Sequence, residues 1–128
     1  MLGAVVKERI PAPDGRHWFA FEPWTDDTRL SRLVIGDADG RGTFSSAVTW
    51  PDWLPLDAAW DSAGRVWVSS GDTGVAVFLI EDGTWRRYAW ESGDTTDRAP
   101  LLDITTNETI PWIDAAPPAQ LRLRGNNA

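Results

Sequence analysis

A short segment of the chain occurs twice, and this repeat limits the possible folds more than any other feature of the sequence. Residues 14–20 and residues 63–69 lie 49 positions apart and share a Gly-Arg-X-Trp core. Further along each copy, an apolar triplet precedes an Asp-Gly pair, at 33–35 in the first copy and at 78–80 in the second. A repeat of this kind predicts a chain built from two similar units.

Turn signals separate short apolar segments in both units. Asp-Gly pairs occur at 14–15, 39–40 and 82–83, and such pairs supply the positive φ angles that a tight β-hairpin requires. No segment shows a sustained helical period, so the apolar segments are interpreted as strands. The candidate strands are residues 4–10, 16–21, 30–36, 43–50, 56–61, 65–70, 74–81 and 84–90.

Strong strands with tight turns predict an all-β fold of two antiparallel four-stranded blade-like meander repeats. The first repeat spans about residues 4–50 and the second about 56–91, and residues 101–114 begin a partial third unit. We expect a single all-β domain over residues 1–114, packed either as a half-propeller or as a sandwich-like domain. Residues 115–128 are expected to form an extended proline-rich C-terminal tail.

The second repeat carries a recognisable pattern. Residues 61–68 follow the pattern D-x-x-G-x-hydrophobic-W-hydrophobic, and Gly74-Val75 and an Asp-Gly-Thr-Trp turn come after it. This segment resembles one blade of the β-propellers of two-component-regulator or NHL-like type, well over residues 56–91 and loosely over 4–50. In the first repeat, Ala12 replaces the aspartate of the pattern. The resemblance implies how blades pack and implies no particular function.

A closed propeller needs about four to eight blades, whereas this chain holds two and the start of a third. Either several chains form one ring as a homo-oligomer, or the chain is a compact monomer of two sheets. The proline-rich C-terminal segment is expected to cover an open sheet edge, because a bare edge promotes aggregation.

Charge and composition restrict the function. The formal net charge is −7, with 19 acidic and 12 basic residues, so phosphate backbones and anionic membranes are repelled. The chain has no cysteine and one histidine, and no phosphate-binding loop; we therefore predict no metal site and no cofactor. The first residues show no signal-peptide pattern, and the expected location is the cytoplasm.

Longer acidic and aromatic loops are expected to share one end of the meanders, opposite the tight glycine turns. Loops on a rigid scaffold often carry function, and an aromatic centre with a charged rim is typical of protein interfaces. In the competing interpretation, the loop tryptophans pack beneath their own loops as part of the core. The candidate binding residues are Trp24, Asp26, Asp27, Asp52, Trp53, Asp72 and Asp94.

These residues favour a non-catalytic protein-binding module whose partner is a basic protein. An inhibitory or immunity-type protein and an accessory subunit both fit this description. The alternative is a lectin-like protein that stacks a sugar or another small ligand on its loop tryptophans. Catalysis by the Asp26-Asp27 pair is disfavoured, because adjacent residues of an extended chain point apart. The Asp37-Ala38-Asp39-Gly40 segment is interpreted as a hairpin turn rather than a calcium loop.

Overall fold

The computed structural model describes residues 8–71 and 74–123, and these residues form ten β-strands and no α-helix. Nothing in these two ranges has the helical length and apolar character that crossing a membrane would require. The chain divides into two compact units, residues 1–53 and residues 54–128. Each unit contains one of the two sequence repeats.

The first unit is a four-stranded antiparallel meander, as the sequence predicts. Its strands lie in the sheet in chain order, and they are β1 (Ile10–Pro11), β2 (His17–Pro23), β3 (Leu30–Asp37) and β4 (Gly42–Pro51). The candidate strand 4–10 contributes only its last residue, because residues 8 and 9 belong to no strand. Residues 4–7 of that candidate lie outside the described residues.

Alternate residues of these strands form the buried face of the first sheet. Phe19 pairs with Ile35 and Phe21 pairs with Leu33 across β2 and β3, so all four side chains lie on one face. The ring of Trp50 meets the ring of Phe21 edge to face, with centroids 5.7 Å apart. Leu33, Ile35 and Trp50 are almost completely buried, and Trp18, Ala20 and Val34 form a second buried cluster on the opposite face.

The second unit is also a four-stranded antiparallel meander, followed by a small hairpin. Its strands are β5 (Leu56–Trp60), β6 (Val66–Ser70), β7 (Gly74–Glu81), β8 (Thr84–Trp90), β9 (Leu101–Asp103) and β10 (Glu108–Ile110). Every residue of β6 is buried. The β7–β8 turn has Asp82 at φ 52° and Gly83 at φ 78°, the two positive angles expected from its Asp-Gly pair.

A buried carboxylate explains the D-x-x-G-x-V-W pattern of the second unit. Asp61 Oδ1 accepts hydrogen bonds from the backbone N–H groups of Ala63 and Arg65, both at 2.9 Å. Asp61 Oδ2 accepts from Arg65 Nε at 2.6 Å and from Trp67 Nε1 at 2.8 Å. Burial raises the pKa of Asp61, but these hydrogen bonds outweigh it and hold the pKa below its ordinary value.

The C-terminal segment covers the edge of β8 and one face of the second sheet. Ala89 N donates to Pro111 O at 2.8 Å and Ile113 N donates to Ala89 O at 2.9 Å, which adds a short parallel bridge to the edge of β8. Farther along, Leu121 is buried in a cluster with Trp67 and Val77. The chain itself therefore covers this edge at Ala89.

The two meanders differ in length at one end, and this difference positions the candidate site. Trp18 pairs with Gly36 in the first unit, and the corresponding Trp67 pairs with Val77 in the second. Beyond this row, β2 continues for five residues to Pro23, whereas β6 continues for three residues to Ser70. The β2–β3 hairpin is therefore the longer of the two, and the loop 24–29 lies at its end.

Candidate functional site

Two loops of the first unit lie side by side at the end of the β2–β3 hairpin, and we call them the paired loops, residues 24–29 and residues 52–53. Leu30 pairs with Pro51 at the ends of β3 and β4. Asp52 N donates a hydrogen bond of 2.8 Å to Arg29 O, and Trp24 N donates one of 2.8 Å to Leu30 O. Backbone hydrogen bonds thus bring five of the seven candidate residues to one end of one sheet.

Tryptophan and arginine side chains meet in pairs at the paired loops. Trp53 is 61% exposed, and the guanidinium carbon of Arg29 lies 5.7 Å from the centroid of its ring. Trp24 is half-buried, and the guanidinium carbon of Arg32 lies 5.8 Å from its ring. Both distances fall within the range of a cation–π interaction. Trp53 is therefore not packed beneath its loop, whereas Trp24 is partly covered.

Asp27 holds Arg29 with two side-chain hydrogen bonds. Arg29 Nε donates to Asp27 Oδ1 at 3.2 Å and Arg29 Nη2 donates to Asp27 Oδ2 at 3.1 Å. The side-chain hydrogen bond from Arg29 lowers the pKa of Asp27, and the Arg29 backbone N–H lowers it further. Asp27 is therefore ionised at neutral pH and serves as an ion-pairing group rather than as a proton donor.

Two further carboxylates of the paired loops are exposed. In the part of the chain that the structure describes, neither Asp26 nor Asp52 makes a side-chain hydrogen bond or a salt bridge. The paired loops contain three carboxylates and one guanidinium, so their formal charge is −2. An incoming cationic group would find two carboxylates that are not engaged by internal ion pairs.

The guanidinium group of Arg32 in β3 has few hydrogen-bond partners. Its Nη2 is 3.7 Å from Glu22 Oε1, and its buried Nε has no hydrogen-bond partner among the described residues. Arg87 in the second unit also has an unpaired Nε, but its Nη2 lies 2.9 Å from Asp103 Oδ2 and 2.8 Å from Glu108 Oε1. Arg32 thus forms a weaker ion pair than Arg87 does.

The sequence prediction missed the arginines of the site, although a local signal for one of them was present. An Asp-X-Arg turn occurs at 14–16, at 27–29 and at 39–41, and in each the arginine N–H donates to the first carboxylate oxygen of the aspartate. The sequence shows the turn, but only the sheet register brings Arg29 beside Trp53.

The last two candidate residues do not belong to the first unit. Asp94 lies on an exposed loop of the second unit, where its Oδ1 accepts a hydrogen bond of 2.9 Å from Thr96 N. The hydrogen bonds from Thr96 lower the pKa of Asp94. Asp72 lies outside the described residues.

Metal-ligating side chains do not cluster in the structure. Within residues 8–71 and 74–123, no group of three or more histidine, cysteine, aspartate or glutamate side chains is arranged to hold a metal ion. The segment 37–40 forms the β3–β4 turn, with Gly40 N donating to Asp37 O at 2.9 Å and Gly40 at φ 94°. The interpretation of this segment as a hairpin turn is therefore confirmed.

The paired loops thus present an exposed indole, an arginine stacked on it, and free carboxylates on a short hairpin end. Comparison with known proteins adds no family to this description, since no family model, no curated protein and no solved structure matches the chain.

Proposed function

We propose that this protein is a non-catalytic binding module that recognises a basic protein partner through the paired loops. The observation that carries the proposal is the exposure of Trp53 on loops that also carry the exposed carboxylate of Asp52 and the guanidinium of Arg29. Tryptophan and arginine are the residue types most enriched among interface residues that dominate binding energy. Trp53 is 61% exposed and is therefore available to a partner.

The charge of the chain supports a basic partner. The net charge of −7 raises the local concentration of cationic molecules and speeds their encounter with the protein. The exposed Asp26 and Asp52 place part of this charge on the paired loops themselves. An inhibitor or immunity-type protein of the bacterial cytoplasm, directed against a basic toxin or enzyme, would use such a surface. An accessory subunit of a larger assembly would also use it.

The test is binding by variants of the loop tryptophans. The Trp24→Ala/Trp53→Ala variant should fail to retain the partner that wild-type protein retains from its native host. The Leu102→Ala/Ile104→Ala variant is the matched control, because it removes two exposed apolar side chains from the second unit. The purified partner should associate with wild-type protein roughly tenfold or more slowly at high salt than at low salt. Equal binding by both variants, or association that salt does not slow, would contradict the proposal.

A carbohydrate ligand is the second candidate, because the ring of Trp53 is 61% exposed and the neighbouring Asp52 has an exposed carboxylate that could accept hydrogen bonds from sugar hydroxyls. A glycan array probed with wild-type protein and with the Trp24→Ala/Trp53→Ala variant separates the two candidates. A glycan that binds wild-type protein alone, with no protein partner lost in the same variant, would replace the first proposal by the second.

We also propose that the two sheets are related to propeller blades. The four-stranded meander order of both units and the Asp61–Trp67 hydrogen bond within the D-x-x-G-x-V-W pattern support this relationship. Light scattering on a size-exclusion column tests whether several chains assemble. A dimer or trimer would support a ring of several chains, and a monomer would exclude it.

A further inference from the structure

We propose that the guanidinium of Arg29 occupies the position where an arginine of the partner binds. This position is formed by the ring of Trp53 and the carboxylate of Asp27. This inference rests on the proposed function and names the chemistry of the group that the site recognises. The partner side chain displaces that of Arg29, so Arg29 weakens binding instead of contributing to it.

The place that Arg29 fills has the properties of a guanidinium site. Asp27 presents both carboxylate oxygens, at 3.2 Å and 3.1 Å from two guanidinium nitrogens. Trp53 presents an aromatic face at 5.7 Å from the guanidinium carbon. A planar guanidinium binds a carboxylate with two parallel hydrogen bonds and stacks on an aromatic ring, whereas an ammonium group does neither as well. The site therefore selects arginine over lysine.

The backbone of the site does not depend on where the Arg29 side chain lies. Arg29 N donates to Asp27 Oδ1 at 3.0 Å, and Arg29 O accepts from Asp52 N at 2.8 Å. These two bonds fix the loop and orient the Asp27 carboxylate through main-chain groups. When the Arg29 side chain swings into solvent, these bonds keep the Asp27 carboxylate in place, and the exposed ring of Trp53 is uncovered for another guanidinium.

The Arg29 side chain is held weakly enough to be displaced. It is 72% exposed, and exposed ion pairs contribute little because water and salt screen them. Asp26 and Asp52 make no salt bridge among the described residues, although Asp52 already attracts the Arg29 guanidinium, and the formal charge of −2 on the paired loops attracts a second cation. A partner arginine would arrive attached to a larger contact surface, whereas Arg29 competes for the site as a single side chain.

A second Asp-X-Arg turn provides a matched control within the same unit. Arg41 N donates to Asp39 Oδ1 at 3.0 Å, and Arg41 Nη2 lies 3.5 Å from Asp39 Oδ2. The Arg41 side chain is 82% exposed, and among the described residues it stacks on no aromatic ring. Arg41→Gln therefore removes the same charge as Arg29→Gln without uncovering a tryptophan.

The experiment follows the indole N–H resonances of the full-length, ¹⁵N-labelled protein during titration with capped tripeptides. The probes are acetyl-Gly-Arg-Gly-amide, the same peptide with lysine, and the same peptide with glutamine. The Trp53 resonance is assigned as the indole signal that Trp53→Phe removes. We expect the arginine peptide to shift this resonance and the glutamine peptide to leave it in place. Arg29→Gln should tighten binding of the arginine peptide about two- to fivefold, and Arg41→Gln should change it less.

Three results would overturn the inference: weaker or unchanged peptide binding in Arg29→Gln, an equal gain in Arg41→Gln, or an equal response to the glutamine peptide. The outcome is separable from that of the proposed function. If Trp24→Ala/Trp53→Ala loses the protein partner and Arg29→Gln also weakens it, the binding module stands and Arg29 is an ordinary contact residue. If the Trp24→Ala/Trp53→Ala variant still retains the protein partner, the proposed function is wrong, and this conclusion does not depend on the result of the peptide titrations.

Discussion

Trp18 and Trp67 occupy corresponding positions of the two repeats, yet their indole rings have different neighbours. Trp67 Nε1 donates to the buried carboxylate of Asp61. In the first unit Ala12 stands in place of that aspartate, and Trp18 Nε1 has no hydrogen-bond partner among the described residues. The Trp18 ring lies instead over Gly36, which occupies the row where the second unit has Val77. The two units thus differ both in the hydrogen-bond partner of the tryptophan and in the residue paired with it.

Gly36 is required by the Trp18 ring rather than by its own backbone angles. A Cβ atom on Gly36 would overlap Trp18 Cζ2 and Cε2 and would lie 2.7 Å from Arg41 O. We expect Gly36→Ala to lower the free energy of unfolding by about 1–3 kcal/mol, measured by chemical denaturation. Gly42→Ala is the control, because its Cβ would meet Val34 Cγ1 at 3.4 Å, an ordinary contact. The cost should be smaller in a Trp18→Leu background, and the part that remains is expected from the 2.7 Å approach to Arg41 O; a cost that does not fall at all would show that the ring contributes nothing.

At the scale of elements, the sequence predicts the strands well because Asp-Gly turn signals bound short apolar segments that lack a helical period. The Asp-Gly pair at 82–83 forms its hairpin with the two positive φ angles expected of it, and β7 and β8 have the predicted bounds. The length over which two strands pair is not predicted in this way. The neighbours of Arg29 and Arg32 depend on how far β2 and β3 pair before the loop begins, and no local pattern encodes that length. The tryptophans of the site were therefore predictable, whereas the arginines stacked on them were not.

The C-terminal segment is an element whose role follows from its contacts. Leu121 is buried against Trp67 and Val77, Trp90 Nε1 donates to Ala115 O at 2.6 Å, and Arg122 N donates to Asp57 Oδ2 at 2.8 Å. We expect Leu121→Ala to lower the free energy of unfolding by about 2–5 kcal/mol, because it leaves a cavity beneath the segment. Hydrogen exchange should speed up most in β6 and β7 of this variant.

The matched control for that element is Leu102→Ala, which truncates the same residue type at a site that is 61% exposed. Its cost should stay within about 0.5 kcal/mol. If both leucine variants lost the same stability, the segment would not be part of the folded second unit.

At the scale of the whole molecule, the dependence of stability on acid follows from a few carboxylates. The side-chain hydrogen bond from Arg87 lowers the pKa of Asp103, and the hydrogen bonds to Asp61 lower its pKa despite burial. The folded pKa of each group lies below that of the unfolded chain, about 3.9 for aspartate. Each group therefore contributes its full stability above pH 5 or so, and this contribution is lost as the pH falls through the folded pKa.

Asp61→Asn tests this account of acid stability. The amide oxygen cannot replace both carboxylate oxygens, so the variant should be less stable than wild type at neutral pH, by roughly 1–3 kcal/mol. Because it no longer has the titrating group, its stability should fall less than that of wild type between about pH 5 and pH 2. The control is Asp52→Asn, which removes the same charge from an exposed carboxylate of the paired loops and should leave the stability at neutral pH within about 0.5 kcal/mol of wild type. Parallel pH profiles for wild type and Asp61→Asn would show that the buried carboxylate of Asp61 does not set the acid limit.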